Sequence, residues 1–139
     1  MTILLDTGVV FAFLHGDDVR HEDASQLISR IAHREFGQPF VTDHVIDELF
    51  ILVRARTGSS ELEESLRRFL PLPSPALRGL SAVSLGVAVL EPAWNVFRRY
   101  RDQRLSFTDA SLIVTLRELS LDRLATFDRR LARLVPHAE

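Results

Sequence analysis

Four acidic side chains in this 139-residue chain are set in apolar sequence. Asp6 follows the run "TILL", and Asp128 follows "LATF". Glu48 lies in "VIDELFILV", beside Val45, Leu49 and Leu52. Asp109 opens "FTDASLIVTL", where Leu112, Ile113, Val114 and Leu116 promise a buried helix. A carboxylate among such neighbours is costly without a partner. For Glu48 the positions one turn on are Ile51 and Leu52, which leaves His44 as the only local cation. Each acid also has a plain structural use. Asp6 can end a strand, Asp128 can cap a helix, and Asp109 can favour the positive end of its own. Brought together, the four would repel and need a cation. There is no cysteine, and oxygen ligands alone select hard ions such as Mg²⁺ or Mn²⁺. His44 and Glu48, four apart, could also hold zinc, but no second histidine stands at a ligand spacing.

The elements that must position these acids read as follows. "TILLD" is a buried strand, and Val9, Val10, Phe13 and Leu14 make a short helix to about His15. Residues 19–35 give an amphipathic helix with Ala24, Leu27, Ile28 and Ile31 on one face. "PFVT" is a second strand. Thr42 caps a helix that Gly58 closes, and Ser59 or Ser60 caps the next, "ELEESLRRFL". The proline-rich residues 71–79 form a surface loop, and "LSAVS" a third strand. "GVAVLEPAWNVFRRYRDQ" is helical, with Pro92 either kinking it or marking its true start. Thr108 is the expected cap of the helix carrying Asp109. A strand from Arg123 to Thr126 and a turn of helix in "RRLARLV" finish the chain.

Strands alternating with helices imply an α/β fold, a parallel sheet of four or five strands with helices on both faces. The length suits one domain spanning residues 1–139. In such a sheet the working edge lies beyond the C-terminal strand ends. Asp6 and Asp128 fall there directly, and the helix opened by Asp109 can point to it. The N-terminus lacks a basic leader, and no uncharged run reaches spanning length, so a cytoplasmic protein without a membrane partner is expected. The net charge of −2 is neutral on nucleic acid. Its distribution is polar: residues 1–50 hold three arginines and nine acids, residues 98–139 nine arginines and six acids. All basic residues are arginine, the better bidentate phosphate ligand.

The pieces "LLDTGVVFAFL", "VIDELFILV", "YRDQRLSFTDASLI" and "LATFDRRL" come in an order and spacing that resemble PIN-domain proteins, and specifically VapC-type toxins of toxin–antitoxin pairs. The resemblance spans nearly the whole chain. It implies a PIN-like fold and a Mg²⁺-dependent ribonuclease, with Mn²⁺ a possible substitute. Carried over by motif, its catalytic acids fall on Asp6, Glu48, Asp109 and Asp128, the same four chosen above. Asp6 and Asp109 are the expected metal ligands, with Glu48 and Asp128 supporting them or a second ion. Thr7 and Thr126 fall on polar positions beside the site, and Thr108 or Thr126 could orient a ligand carboxylate. Arg98, Arg99, Arg129 and Arg130 are candidates for the RNA backbone. The resemblance also implies a VapB-like antitoxin and a homodimer. Two other readings compete. A haloacid-dehalogenase-like phosphatase would need an aspartate where Gly8 stands, and a lysine the chain lacks. A catalytically silent PIN-fold module would only bind RNA or protein, which four intact acids argue against.

Overall fold

The computed structural model describes residues 1–72 and 79–139. The expected loop 71–79 therefore lies largely outside the described residues. Five strands form one all-parallel sheet: β1 (Thr2–Leu5), β2 (Gln38–Thr42), β3 (Ser81–Val83), β4 (Arg123–Ala125) and β5 (His137–Ala138). Their order is β3-β2-β1-β4-β5. Among the described residues seven α-helices accompany them: α1 (Thr7–Leu14), α2 (His21–Ala32), α3 (Asp43–Thr57), α4 (Ser60–Phe69), α5 (Leu90–Arg99), α6 (Phe107–Glu118) and α7 (Arg129–Ala132). Ile3, Leu4 and Leu5 are all fully buried. Successive strand residues point to opposite faces, so β1 is covered on both. The chain winds outward from β1 through β2 to β3, then returns to place β4 on the other side of β1. The gap between β1 and β4 is thus the topological switch point, where open α/β sheets bind ligands.

Local chemistry explains most boundaries. The Thr42 hydroxyl accepts the Val45 N–H at the start of α3, and Gly58 ends it in the left-handed region at φ 59°. The Ser59 hydroxyl caps α4 by accepting the Leu62 N–H. Gly37 has φ 82°, and a Cβ there would run into the Met1 carbonyl, which accepts the Gln38 N–H as β1 and β2 begin. α2 is shorter than its apolar periodicity suggests. Asp18 turns the chain before it by accepting the Arg20 N–H, and Arg34, at φ 64°, turns it after. Pro92 marks a helix start: it sits in the first turn of α5, where a missing N–H costs least. The expected continuation to Gln103 stops at Arg99, and a 3₁₀ turn follows over Arg101–Gln103. The short strand β5, on the edge beyond β4, was absent from the sequence reading.

α6 is the central helix. Every residue from Asp109 to Leu116 is buried, so it has no solvent face over two turns. Its cap is Ser106, which corrects the expectation of Thr108. "SFTD" forms a capping box. The Ser106 hydroxyl accepts the Asp109 N–H at 3.0 Å, and the Asp109 Oδ2 accepts the Ser106 N–H at 2.9 Å. Thr108 is helical already, and its side chain makes no hydrogen bond among the described residues. No helix among the described residues is long and apolar enough to cross a membrane.

Candidate active site

Asp6, Glu48, Asp109 and Asp128 all line one cleft of about 510 Å³ at the switch point. Asp6 comes first after β1, and its N–H still pairs with the Ala125 carbonyl of β4 at 3.1 Å. Its side chain then caps α1. Oδ1 accepts the Thr7 N–H at 2.8 Å, and Oδ2 accepts the Thr126 hydroxyl proton at 2.7 Å. Thr126, fully buried at the end of β4, also accepts the Asp128 N–H at 3.0 Å. One hydroxyl thus joins two of the four acids across the switch point. Thr7 is buried beside them. Its Oγ1 has no hydrogen-bond partner among the described residues, a state native interiors seldom leave uncompensated.

The cleft is electrostatically unfavourable as it stands. Burial raises the Asp6 carboxyl to about 7. The Thr126 hydroxyl and Thr7 N–H oppose that rise, while repulsion from Asp109 and Asp128 adds to it. Burial also raises Asp109, against the pull of Ser106 and Arg130 and with Asp128 repelling. Only one Asp109 oxygen is engaged in the capping box, and Oδ1 accepts no hydrogen bond among the described residues. Asp128 goes the other way, because Arg130 grips it. The guanidinium reaches Oδ2 at 2.6 Å and Oδ1 at 3.1 Å, and the Arg130 N–H caps on Oδ1 at 2.8 Å. The same guanidinium stands 4.0 Å from Asp109 Oδ2 and donates to the Gln103 and Arg104 carbonyls at 3.3 and 2.8 Å.

The arginines are distributed differently from the sequence expectation. Arg130 lines the cleft, with its donors committed to Asp128 and two carbonyls. Arg129 faces a separate depression with Gln26, Arg30 and Glu139. Arg99 lies among Pro92, Val114 and Glu118, and Arg98 faces a cavity beside Trp94. Instead Arg20 and Arg56 reach the acid cleft. Arg56 had a signal. It is eight residues after Glu48 with Leu52 midway, so all three share a helix face, and all three line the cleft. Arg20 had none, since it is brought in by the turn before α2 and by stacking 4.3 Å over the Phe127 ring. Thr108 is not part of the lining, and Ser106 and Asp18 are.

These donors fit a hard cation. Three carboxylates lack a bidentate arginine, the deepest is held above its ordinary range by burial, and a threonine hydroxyl beside it is unpartnered. Among the described residues no three acidic or histidine side chains are close enough to cage an ion by themselves. Mg²⁺ needs few protein ligands, because it keeps several waters and takes oxygens from its substrate. His44 and Glu48 gain no third ligand for zinc among the described residues, and zinc prefers a closed set.

The chain resembles known proteins over nearly its whole length. The chain is 29% identical over 131 residues to a VapC ribonuclease of Archaeoglobus fulgidus, covering 94% of this chain and 79% of that one. Its fold is similar to the crystal structure of Mycobacterium tuberculosis VapC20, a sarcin–ricin-loop-cleaving toxin. There the TM-score is 0.79 at 20% identity, over 95% of this chain and 94% of that one. It is also similar to a chain of VapBC2 from Rickettsia felis, solved on a promoter DNA fragment. That match has a TM-score of 0.70 at 12% identity, over 99% and 98% of the two chains. The PIN domain model matches residues 3–135. With the acids gathered at the switch point of a five-stranded parallel sheet, and a match over nearly its whole length, this chain belongs to the PIN-domain family.

Proposed function

We propose that this protein is a Mg²⁺-dependent endoribonuclease of the VapC type, held in check by a VapB-like antitoxin. The observation that carries the reading is the buried Asp6 carboxylate, pinned through both oxygens and facing Asp109 and Asp128 from two other elements. Asp6 and Asp109 are the residues that would hold the ion, with Glu48 at the cleft wall and Thr7 beside Asp6. When bound, the ion supplies Lewis acidity to the attacking water and the scissile phosphate.

The chain's own residues do the rest. Thr126 fixes the Asp6 carboxylate by donating its proton to Oδ2, and Ser106 fixes Asp109, so neither acid must be ordered when substrate arrives. Arg130 orients Asp128 through a bidentate ion pair and offsets part of the repulsion that Asp128 exerts on Asp6 and Asp109. Arg20 and Arg56 line the cleft, and Arg56, which has no carboxylate partner among the described residues, is the cation this reading assigns to an RNA phosphate. The relatives' ribonuclease name and the VapBC assembly of a similar fold support the activity and the partner class. A homodimer is part of the same reading.

The test is RNA cleavage by the purified protein with Mg²⁺, with Mn²⁺ and with EDTA, wild type beside Asp6→Asn and Asp109→Asn. The expected result is metal-dependent cutting that both folded variants lack. A folded variant that cuts at the wild-type rate overturns the assignment of that residue.

A further inference from the structure

We propose that a second cavity, between α5 and the segment from Arg101 to Leu105, is an RNA subsite. It would take an unpaired nucleotide, with its base stacked on Trp94 and its phosphate held by Arg98, Arg101 and Arg104. The proposal rests on the reading of the acid cleft as RNA-cleaving, and names where a strand entering that cleft is gripped. The cavity is about 470 Å³ and is lined by Trp94, Phe97, Arg98, Arg101, Arg104 and Leu105, with no acid among them. That volume lies within the range of small-ligand sites, about 300–1,000 Å³.

Its lining is cationic and aromatic, and what sets it apart is three guanidiniums gathered beside one indole. None of the three pairs with a carboxylate among the described residues, and Arg98 makes a 3.4 Å bond to Asn95. Trp94 is half exposed. Its ring is braced by Phe97 at 6.1 Å, and Phe97 by Phe107 at 5.8 Å. A rigid, exposed indole beside unpaired guanidiniums is the combination that single-stranded nucleic acid needs, a stacking surface with a cationic track for the backbone. A second copy of this face would bring arginines against arginines, and an apolar partner would strand three charges away from water.

Position favours the same occupant. The carbonyls of Gln103 and Arg104 in the cavity segment accept from Arg130, whose guanidinium also holds Asp128 and stands beside Asp109. Phe107, the last ring of the brace, opens the helix that carries Asp109. The cavity and the acids are therefore neighbours, joined through one guanidinium and one helix start.

Trp94 is the only tryptophan, so its fluorescence reports on this cavity. The experiment titrates the full-length protein in EDTA with a short single-stranded oligoadenylate, the matching RNA duplex, and oligoglutamate. Saturable quenching by the single strand is expected, with little from the duplex. Trp94→Ala should weaken binding, followed by anisotropy of labelled RNA, about tenfold or more. Trp94→Phe should restore part of it. Each arginine changed to glutamine should lower the slope of log affinity against log salt by about 0.7. Circular dichroism checks that each variant is folded. RNA that binds without moving Trp94 emission, and equally well to Trp94→Ala, overturns the subsite; metal-dependent cleavage needing Asp109 would still stand in that case. Quenching by the single strand, with no cleavage of any RNA in a broad cellular pool in Mg²⁺, supports the subsite as a binding site and counts against the nuclease reading. Trp94 emission that follows protein concentration, or oligoglutamate binding as tightly as RNA, assigns the face to a protein contact and overturns the proposal.

Discussion

Replacing Asp6 by asparagine should stabilise the metal-free protein at alkaline pH while removing its activity. The carboxyl has a value of 3.8 when freely solvated and about 7 in the fold. Between those limits the native state binds the proton that the unfolded chain has lost, so stability falls as pH rises, and the full cost is present above pH 7. That gap corresponds to about 4 kcal/mol at most, since each unit is about 1.4 kcal/mol. Asparagine removes the ionisation and keeps an oxygen for the Thr7 N–H. Its amide cannot accept from Thr126, which must reverse its hydrogen bond at a cost of about 1 kcal/mol. The net expectation is a gain of roughly 2–3 kcal/mol at pH 8 and a loss of about 1 kcal/mol near pH 4. For a domain of this size that is a melting temperature higher by about 6–10 °C at pH 8 and slightly lower at pH 4. Thermal unfolding followed by circular dichroism in EDTA across this range measures it. A difference between variant and wild type that does not change with pH, or an asparagine variant that melts lower at pH 8, refutes the argument that burial strains this carboxylate.

The remaining predictions concern neighbouring contacts. Cleavage at limiting Mg²⁺ should fall as pH drops, because the proton competes with the cation for Asp6, whose metal-free value is about 7; added Mg²⁺ should move the limb to lower pH, and a pH–rate profile at two Mg²⁺ concentrations reads this. Arg130→Gln should move the acidic limb of that profile to higher pH, since the guanidinium that attracts Asp128, Asp109 and Asp6 is gone; an unmoved limb would show that it acts only as a structural tie. Ser106→Ala should cost about 1 kcal/mol in urea unfolding through loss of the cap, and slow cleavage further than that by freeing Asp109. Leu112→Ala, at a fully buried position of the central helix, should cost about 2–5 kcal/mol in the same assay.

The limits of one turn of chain separate what could be read in advance from what could not. Thr42, Ser59 and Gly58 act on neighbours within four residues, so their caps are visible in a string of letters. The Ser106–Asp109 box is equally local, and "SFTD" carries it, although Thr108 is the cap expected from sequence. Arg56 lies two turns from Glu48 on the same helix face, beyond the reach of a one-turn pairing rule. The four acids were legible because carboxylates in apolar sequence must be compensated from somewhere.

What compensates them belongs to the tertiary structure. The Thr126 hydroxyl that holds Asp6 is separated from it by 120 positions, and only the pairing of β4 against β1 makes them neighbours. Arg130 looked free for RNA in sequence and spends its donors on Asp128 and on the carbonyls of Gln103 and Arg104. The sequence alone determined most of the elements and the acid types, because caps and periodicity act over a few residues, whereas the edge strand β5 exists only through its pairing with β4. Charge state, pairing and the direction each arginine faces were decided by the folded chain, because they depend on burial and on groups that meet only when the sheet is assembled.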